Sequence, residues 1–131
     1  MSQENVAAVR VIYDRLNQTG DANRGDFTAD ATFDGSRLPG FGVYQGFDEF
    51  RAAWLQYRDT FEEWWIEVEE LLAGKGERVF AAVRDGGRMK ASGAEVRQGV
   101  FHVWELRGGK VIAQTFFLNR SEALEAAGLR E

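Results

Sequence analysis

Residues 94–106, AEVRQGVFHVWEL, are the longest stretch of alternating side chains in this chain, and they decide the fold that we predict for it. Alternation places successive side chains on opposite faces of a β-strand. One face carries the only histidine of the chain among mainly apolar neighbours, at Ala94, Val96, Val100, His102, Trp104 and Leu106. The other face is apolar in its middle, at Phe101 and Val103. Since a sheet with one solvated face alternates apolar and polar residues, we expect both faces of this strand to be covered.

More strand-like segments lie on either side of residues 94–106, and glycines separate them. The predicted strands are residues 65–72, 78–85, 88–92, 94–106 and 110–118. Turns are predicted between strands at Gly74–Gly76, Gly86–Gly87 and Gly108–Gly109, because hairpin turns favour glycine. The second half of the chain is therefore predicted to be a meander of antiparallel strands.

The first half of the chain has helical periodicity instead. Apolar side chains recur at helical spacing from Val6 to Leu16 and from Phe50 to Phe61, so each segment is predicted to be an amphipathic helix. The glycine-rich residues 35–46 are predicted to be a loop after a short strand at 31–34, and a last helical turn is predicted at 121–127. Helices followed by antiparallel strands are typical of the α+β class.

These helices are too few to cover both faces of the predicted sheet. The first two can cover the face that carries His102. We therefore expect the opposite face, around Phe101 and Val103, to pack against a second copy of the chain. A two-fold homodimer through that outer face is the simplest arrangement.

Length and composition limit the classes of protein to which this chain can belong. The 131 residues fit one domain, which we place at residues 1–131. A net charge of −5 leaves no basic surface for nucleic acid, and the absence of cysteine excludes disulfides and thiolate metal sites. The longest apolar run, Val79–Val83, is far shorter than the roughly 20 residues of a membrane-spanning helix. Since the start has no signal-peptide pattern, we expect a cytoplasmic protein without nucleic-acid or membrane partners.

Two residues stand out as candidates for chemistry. His102 lies on the face that we expect to point inward, where an imidazole needs hydrogen-bond partners and can change its charge near neutral pH. The alternative is a core histidine that binds backbone or water. Tyr13 lies in the apolar stripe of the first helix, where a buried hydroxyl also needs a partner. One histidine without cysteine argues against a tight transition-metal site, and nucleotide-binding and serine-nucleophile motifs are absent, so we predict neither metal nor cofactor.

Several short motifs follow one another along most of the chain. They are Tyr13 with Gly20–Asp21, Ala29–Phe33, Val43–Gly46, Ser92–Gly93, Trp104–Leu106 and the closing Asn119–Leu129. In this order the motifs resemble the nuclear transport factor 2-like superfamily, particularly its SnoaL-like and ketosteroid-isomerase-like branch. The resemblance implies a cone-shaped, curved antiparallel sheet wrapped around N-terminal helices, with a deep apolar pocket and a homodimer through the outer face of the sheet.

The resemblance also implies roles for individual residues. Tyr13 and His102 match the two oxyanion donors of the ketosteroid isomerases, whereas the position of their aspartate base is Gly35 here. The neighbouring Asp34 is expected to point to the opposite face of its strand, and the acid that SnoaL-like cyclases carry near the end of the final strand is replaced by Asn119. We take Tyr13, His102 and Asp34 as candidate catalytic residues. The candidate ligand-binding residues are Phe33, Trp54, Val100, Trp104 and Phe116.

Three functions remain open from the sequence. The first is binding of a small apolar molecule with isomerase- or cyclase-type acid–base catalysis on a ketone or polyketide-like compound, in which Tyr13 and His102 polarise an oxygen and Asp34 or a water shuttles the proton. The second is a non-catalytic ligand-binding or dimerisation module, which the glycine at the base position favours. The third is a structural protein whose aromatic side chains fill the cone completely.

Overall fold

A computed structural model of the protein describes residues 2–130, and over this range it has three α-helices and six β-strands. The elements are α1 (Ser2–Thr19), β1 (Phe27–Asp34), β2 (Val43–Gln45), α2 (Phe47–Asp59), β3 (Phe61–Ala73), β4 (Arg78–Met89), β5 (Glu95–Arg107), β6 (Lys110–Phe117) and α3 (Arg120–Ala126). A short 3-10 turn, Arg24–Asp26, leads into β1. The predicted α+β class is confirmed.

The strands form one curved, open sheet in the order β2-β1-β6-β5-β4-β3. Strands β3 to β6 are the predicted antiparallel meander. Strand β1, from the first half of the chain, joins the meander next to β6 and runs parallel to it. Helices α1 and α2 pack on the inner, concave face of the sheet, and α3 packs on the outer face.

The inner face holds the larger of two apolar cores. In β5 the predicted inward positions Val100, Trp104 and Leu106 are buried, as strand alternation requires. Tyr13 of α1 and Phe47 of α2 meet them from the helix side. Each large apolar side chain buried in this way contributes about 1.5–3 kcal/mol, so this layer holds the helices against the sheet.

The outer face of the sheet is covered at one end by the chain itself. Phe80, Val103 and Phe117 are buried there beneath Leu124 of α3. The expectation that only a second copy could cover this face is corrected to that extent, because the last helix folds back over it. Phe101 is half-buried at the edge of this smaller core. The two-fold dimer through the outer face stays a prediction.

The hairpin turn predicted at Gly86–Gly87 is wrong, and residues 88–92 are not a separate strand. Strand β4 continues through both glycines, which pair with β3 on one side and β5 on the other. A Cβ on Gly86 would lie 1.8 Å from the carbonyl oxygen of Val96, and a Cβ on Gly87 would lie 1.8 Å from that of Glu63. Glycine therefore permits a close approach of three strands that a side chain would prevent. The consequence for function is that the residues just before Gly86 belong to a paired strand.

Two further boundaries differ from the prediction. Helix α2 ends at Asp59, and Phe61, predicted in its apolar stripe, is instead the first residue of β3. The apolar residues near Phe61 fit the periodicity of a helix as well as that of a strand. Residue Phe61 is part of a strand because it pairs with β4. Strand β1 begins earlier than predicted, at Phe27, and β2 pairs with it from within the predicted loop.

Candidate functional site

An apolar cavity lies between α1, α2 and the inner face of the sheet. The centre of a water molecule can move through about 60 Å³ of it, which is several times the roughly 10–15 Å³ that a single buried water needs. Most of its wall consists of aliphatic and aromatic side chains from both helices, the loop before β2 and strands β1, β3, β5 and β6. The polar exceptions, apart from tryptophan indoles, are Tyr13, Tyr57, Asp85, Gln98, His102 and Gln114.

At one end of the cavity three side chains form a buried hydrogen-bonded chain. Tyr13 on α1 faces His102 and Trp104, which alternation places side by side on the inner face of β5. The Tyr13 hydroxyl oxygen is 2.6 Å from His102 Nδ1. Trp104 Nε1–H donates to the same hydroxyl oxygen at 2.8 Å. Tyr13 is 1% exposed and His102 is 6% exposed, so this chain is shielded from solvent.

The donors in this chain determine which nitrogen of His102 carries a proton. An indole N–H can only donate, so the Tyr13 hydroxyl accepts from Trp104 and is free to donate its own proton. We assign that proton to the hydrogen bond with His102 Nδ1, the acceptor within reach, which makes Nδ1 the unprotonated nitrogen. In a neutral imidazole the remaining proton is on Nε2. Within residues 2–130 Nε2 makes no hydrogen bond, so an unpaired N–H belongs to a side chain that lines the cavity.

Burial keeps the Tyr13–His102 pair neutral. Desolvation lowers the pKa of His102 from 6.5 to about 3. Desolvation also raises the pKa of the Tyr13 phenol far above its usual value, against a smaller opposite effect of the Trp104 hydrogen bond. At neutral pH His102 is therefore a hydrogen-bond donor to the cavity rather than a cation or a strong base.

Gln114 is a second unpaired polar group at this end. It lies on β6, opposite Trp104 of β5 and Phe33 of β1, and is only 4% exposed. Within residues 2–130 its side-chain amide makes no hydrogen bond, and it lines the cavity. Buried amides normally have partners, so this one marks a place where a bound molecule can supply them.

A carboxylate occupies the other end of the cavity. Asp85 of β4 is 9% exposed, and its Oδ2 accepts from the Tyr57 hydroxyl at 2.6 Å and from Trp64 Nε1 at 3.2 Å. Its Oδ1 has a single long contact, 3.5 Å, with the amide nitrogen of Gln98. Burial and the charge of Asp85 raise the pKa of Tyr57 above its usual value, so Tyr57 remains a donor. Because Gln98 is exposed, this end is the rim of the cavity.

Sequence reasoning missed several site residues, among them Asp85 and Gln114, as well as Tyr57, Trp64 and Gln98 beside Asp85. Asp85 comes directly before Gly86, so a predicted turn concealed it. The signal that could have found it is the alternation of Val79, Ala81 and Val83, which places the next inward side chain at Asp85. For Gln114 the corresponding signal is a lone amide in the apolar run of the last strand.

The other predicted catalytic residue lies elsewhere. Asp34 is at the end of β1, outside the cavity wall, where it accepts from the backbone and hydroxyl of Ser36 and pairs with Arg37. These partners, Ser36 first, lower the pKa of Asp34. Alternation along β1 turns Phe33 inward and Asp34 away, so the structure does not bring Asp34 together with Tyr13 and His102.

The five predicted ligand-binding residues divide into two groups. Trp54, Val100, Trp104 and Phe116 line the cavity. Phe33 does not line it; its ring is fully buried and stacks 4.0 Å from the Phe50 ring. Asn119, where cyclases of this kind carry an acid, is the N-cap of α3 and accepts from the Glu122 amide at 3.0 Å.

The two ends of the cavity are separated along the sheet. Asp85 pairs with Gln98 in β5, and His102 lies four residues further along that strand. Four residues of extended strand span about 13 Å. A small apolar molecule can therefore contact an N–H donor at one end and a carboxylate acceptor at the other.

Two further properties concern metals and membranes. Over residues 2–130, no three or more His, Cys, Asp or Glu side chains are grouped closely enough to hold a metal ion. None of the helices in that same range has the length and apolar character needed to cross a membrane.

Comparison with known proteins assigns the family. The sequence matches the SnoaL-like domain over residues 9–114, and no curated protein matches it. Bal32a, from a soil-derived mobile gene cassette, has 19% identity, a TM-score of 0.78 and coverage of 96% of this chain and 97% of its own. An NTF2-like protein from Anabaena variabilis has 17% identity, a TM-score of 0.71 and coverage of 93% and 94%.

The third structure is SalBIII, an epoxide hydrolase/cyclase-like enzyme with a role in pyran ring formation in the polyether salinomycin. It has 25% identity, a TM-score of 0.69 and coverage of 90% of this chain and 92% of its own. The two other structures share the fold, and the domain match confirms the resemblance that the order of motifs indicated. The chain belongs to the SnoaL-like domain family.

Proposed function

We propose that this SnoaL-like protein binds a small, mainly apolar molecule in its cavity through an oxygen atom that accepts a hydrogen bond from His102 Nε2. The observation that carries the proposal is that His102 Nε2, on a buried imidazole that lines an apolar cavity, makes no hydrogen bond within residues 2–130. The protein offers this nitrogen no partner, and an oxygen atom of a ligand in the cavity can supply one. The unpaired amide of Gln114 at the same end supports it.

The contacts give Tyr13 and His102 different roles. The hydroxyl of Tyr13 is engaged by His102 and Trp104, so it does not reach the ligand. Its hydrogen bond to Nδ1 fixes the ring and places the proton on Nε2, which makes Tyr13 a positioning residue. His102 is the group that touches the ligand oxygen.

A neutral N–H held in a site of low polarity is suited to electrophilic activation of an oxygen. It stabilises negative charge that develops on a carbonyl or ring oxygen without having to reorient. We therefore extend the proposal to isomerase- or cyclase-type chemistry on a ketone or polyketide-like compound. The likeness to SalBIII, an epoxide hydrolase/cyclase-like enzyme, supports this class of reaction.

The second candidate is binding without catalysis. The observation in its favour is that the carboxylate lining the cavity, Asp85, lies about 13 Å along the strands from the level of His102. Asp34, the acid that sequence analysis placed beside the donors, lies outside the cavity wall. A proton acceptor is therefore absent from the immediate surroundings of the oxygen that His102 binds, as far as residues 2–130 provide one.

Binding can be tested with a matched pair of compounds. 1-Indanone has a carbonyl oxygen, whereas indane has the same ring system without it. Titration followed by NMR should show that the wild type binds 1-indanone about tenfold more tightly, which corresponds to about 1.4 kcal/mol for one hydrogen bond. His102→Phe should abolish this preference, and Asp34→Asn should retain it. Equal affinities of the wild type for the two compounds would refute the proposal.

Catalysis can be tested on the same ligand. Exchange of the α protons of 1-indanone in D2O, compared between the wild type and His102→Phe, measures activation of the carbonyl. Faster exchange with the wild type alone supports isomerase-type chemistry. Equal exchange rates, with the binding preference intact, select the non-catalytic candidate.

A further inference from the structure

The Asp85 carboxylate is anchored through one oxygen and open at the other. Tyr57 and Trp64 donate to Oδ2 at 2.6 and 3.2 Å and fix the plane of the carboxylate. Oδ1 has only the 3.5 Å contact with Gln98, at the limit of a hydrogen bond. Since Asp85 lines the cavity, Oδ1 is an acceptor available to a bound molecule.

Among residues 2–130, this carboxylate has no ion-pair partner. Asp85 takes part in none of the ion pairs formed within residues 2–130, and its partners Tyr57, Trp64 and Gln98 are neutral donors. A carboxylate that is nine-tenths buried is normally compensated by an opposite charge. The opposite charge is therefore left for something that enters the cavity.

Aromatic rings surround the same end of the cavity. Tyr57 and Trp64 are themselves wall residues, and Trp54 lies between them, with ring centroids 5.7 Å from Tyr57 and 4.8 Å from Trp64. Phe41 continues the wall, 5.3 Å from the Tyr57 ring. Aromatic faces attract cations through their quadrupole and repel anions, so a carboxylate among them forms a site selective for a positive, weakly hydrated group.

We propose that the Asp85 end of the cavity binds an ammonium group, so that the ligand has a positively charged amine at the rim and an acceptor oxygen at His102. The inference deepens the proposed function, since it rests on a ligand in the same cavity and adds the chemical class of its other end. Asp85 then supplies a negative charge and accepts one hydrogen bond from the ammonium group. The rings of Trp54, Tyr57 and Trp64 supply the aromatic faces that attract the cation. The class of ligand that the whole cavity fits is an organic amine that also carries an acceptor oxygen, such as a carbonyl, at its other end.

The test compares benzylammonium with benzyl alcohol, which have the same size and differ in charge. NMR titration should follow the indole N–H of Trp64, which donates to Asp85, with that of Trp65 as a reference outside the cavity wall. We expect the wild type to bind benzylammonium at least about tenfold more tightly than benzyl alcohol, as a desolvated cation–π and charge contact provides. Asp85→Asn should remove the preference, whereas Asp85→Glu and the control Asp34→Asn should keep it.

Some results would contradict the ammonium site without contradicting the proposed function of His102. Equal binding of the two compounds by the wild type, or an undiminished preference in Asp85→Asn, contradicts an ammonium site. Loss of 1-indanone exchange in Asp85→Asn, with unchanged benzylammonium binding, would make Asp85 a proton acceptor instead. If Asp85→Asn does not fold, the wild type and Asp85→Glu still decide. The preference for 1-indanone over indane tests His102 alone, so either proposal can fail while the other stands.

Discussion

The two ends of the cavity accommodate polar groups in a nonpolar interior in opposite ways. At the inner end, Tyr13, His102 and Trp104 are neutral, fully enclosed and bonded to one another. At the rim, the Asp85 side chain accepts from the neutral donors Tyr57 and Trp64 and lies next to the exposed Gln98. The comparison shows that the kind of polar group follows its depth in the protein: the neutral groups are the more deeply buried, and the carboxylate lies at the exposed edge of the cavity.

Removal of Trp104 should have the largest effect at the inner end. Trp104→Ala deletes a ring that is 1% exposed and leaves the Tyr13 hydroxyl without its donor. Large-to-small substitutions of this kind lower the free energy of unfolding by about 3–5 kcal/mol, and denaturant unfolding measures this loss. The matched control is Trp65→Ala, whose half-buried ring lies under Arg97 on the outer face and should cost less than half as much. Similar losses for the two variants would contradict a tightly packed inner end.

The second-largest effect is expected in the pH dependence of stability, which the buried His102 at the inner end should dominate between about pH 6.5 and 4.5. The pKa of His102 is about 3 when folded and 6.5 in an unfolded chain, so between these values the unfolded state binds the additional proton. The free energy of unfolding should therefore fall as the pH falls, by about 1.4 kcal/mol per unit, or about 2–3 kcal/mol from pH 6.5 to 4.5. Urea unfolding at several pH values measures it, and His102→Phe should flatten the curve in this range. A wild-type curve as flat as that of the variant would show that His102 is not buried in its neutral form.

Tyr13→Phe should lower the free energy of unfolding by an intermediate amount. It leaves Trp104 Nε1–H and His102 Nδ1 without their buried hydrogen-bond partner, at an expected cost of about 1–3 kcal/mol. Tyr44→Phe is the matched control, because the Tyr44 hydroxyl is only part-buried and accepts from the Gly42 amide. Water can replace it, so that variant should stay within about 0.5 kcal/mol of the wild type. Thermal and denaturant unfolding of both variants compare the costs, and equal values would mean that the inner chain is not isolated from solvent.

The smallest changes in the free energy of unfolding are expected for substitutions of the two glutamines in the cavity wall. Gln114→Leu replaces a buried, unpaired amide by an apolar group of similar volume, so it should stabilise the ligand-free protein by about 1 kcal/mol while weakening 1-indanone binding. Gln98→Leu at the exposed rim should change stability by less than about 0.5 kcal/mol. Denaturant unfolding and NMR titration provide the two measurements. A destabilised Gln114→Leu variant would indicate that the amide has partners in solution.

Much of the inner end could be predicted from sequence because it depends on local periodicity. Alternation in residues 94–106 places His102 and Trp104 inward, and helical spacing places Tyr13 on the buried side of α1. The hydrogen bond that engages the Tyr13 hydroxyl spans elements far apart in sequence, so no local pattern indicates it. At the rim, the glycines after Asp85 indicate a turn by composition, whereas the close approach of β3 and β5 requires them inside a strand.

The central claim is that His102 is neutral, with Nδ1 bonded to Tyr13 and a proton on Nε2. The 15N chemical shifts of the two ring nitrogens, recorded from pH 7 down to pH 4.5, test it most directly. We expect a protonated Nε2 and an unprotonated Nδ1 throughout this range, since the pKa of His102 is about 3. A proton on Nδ1, or a titration centred near pH 6.5, would contradict it.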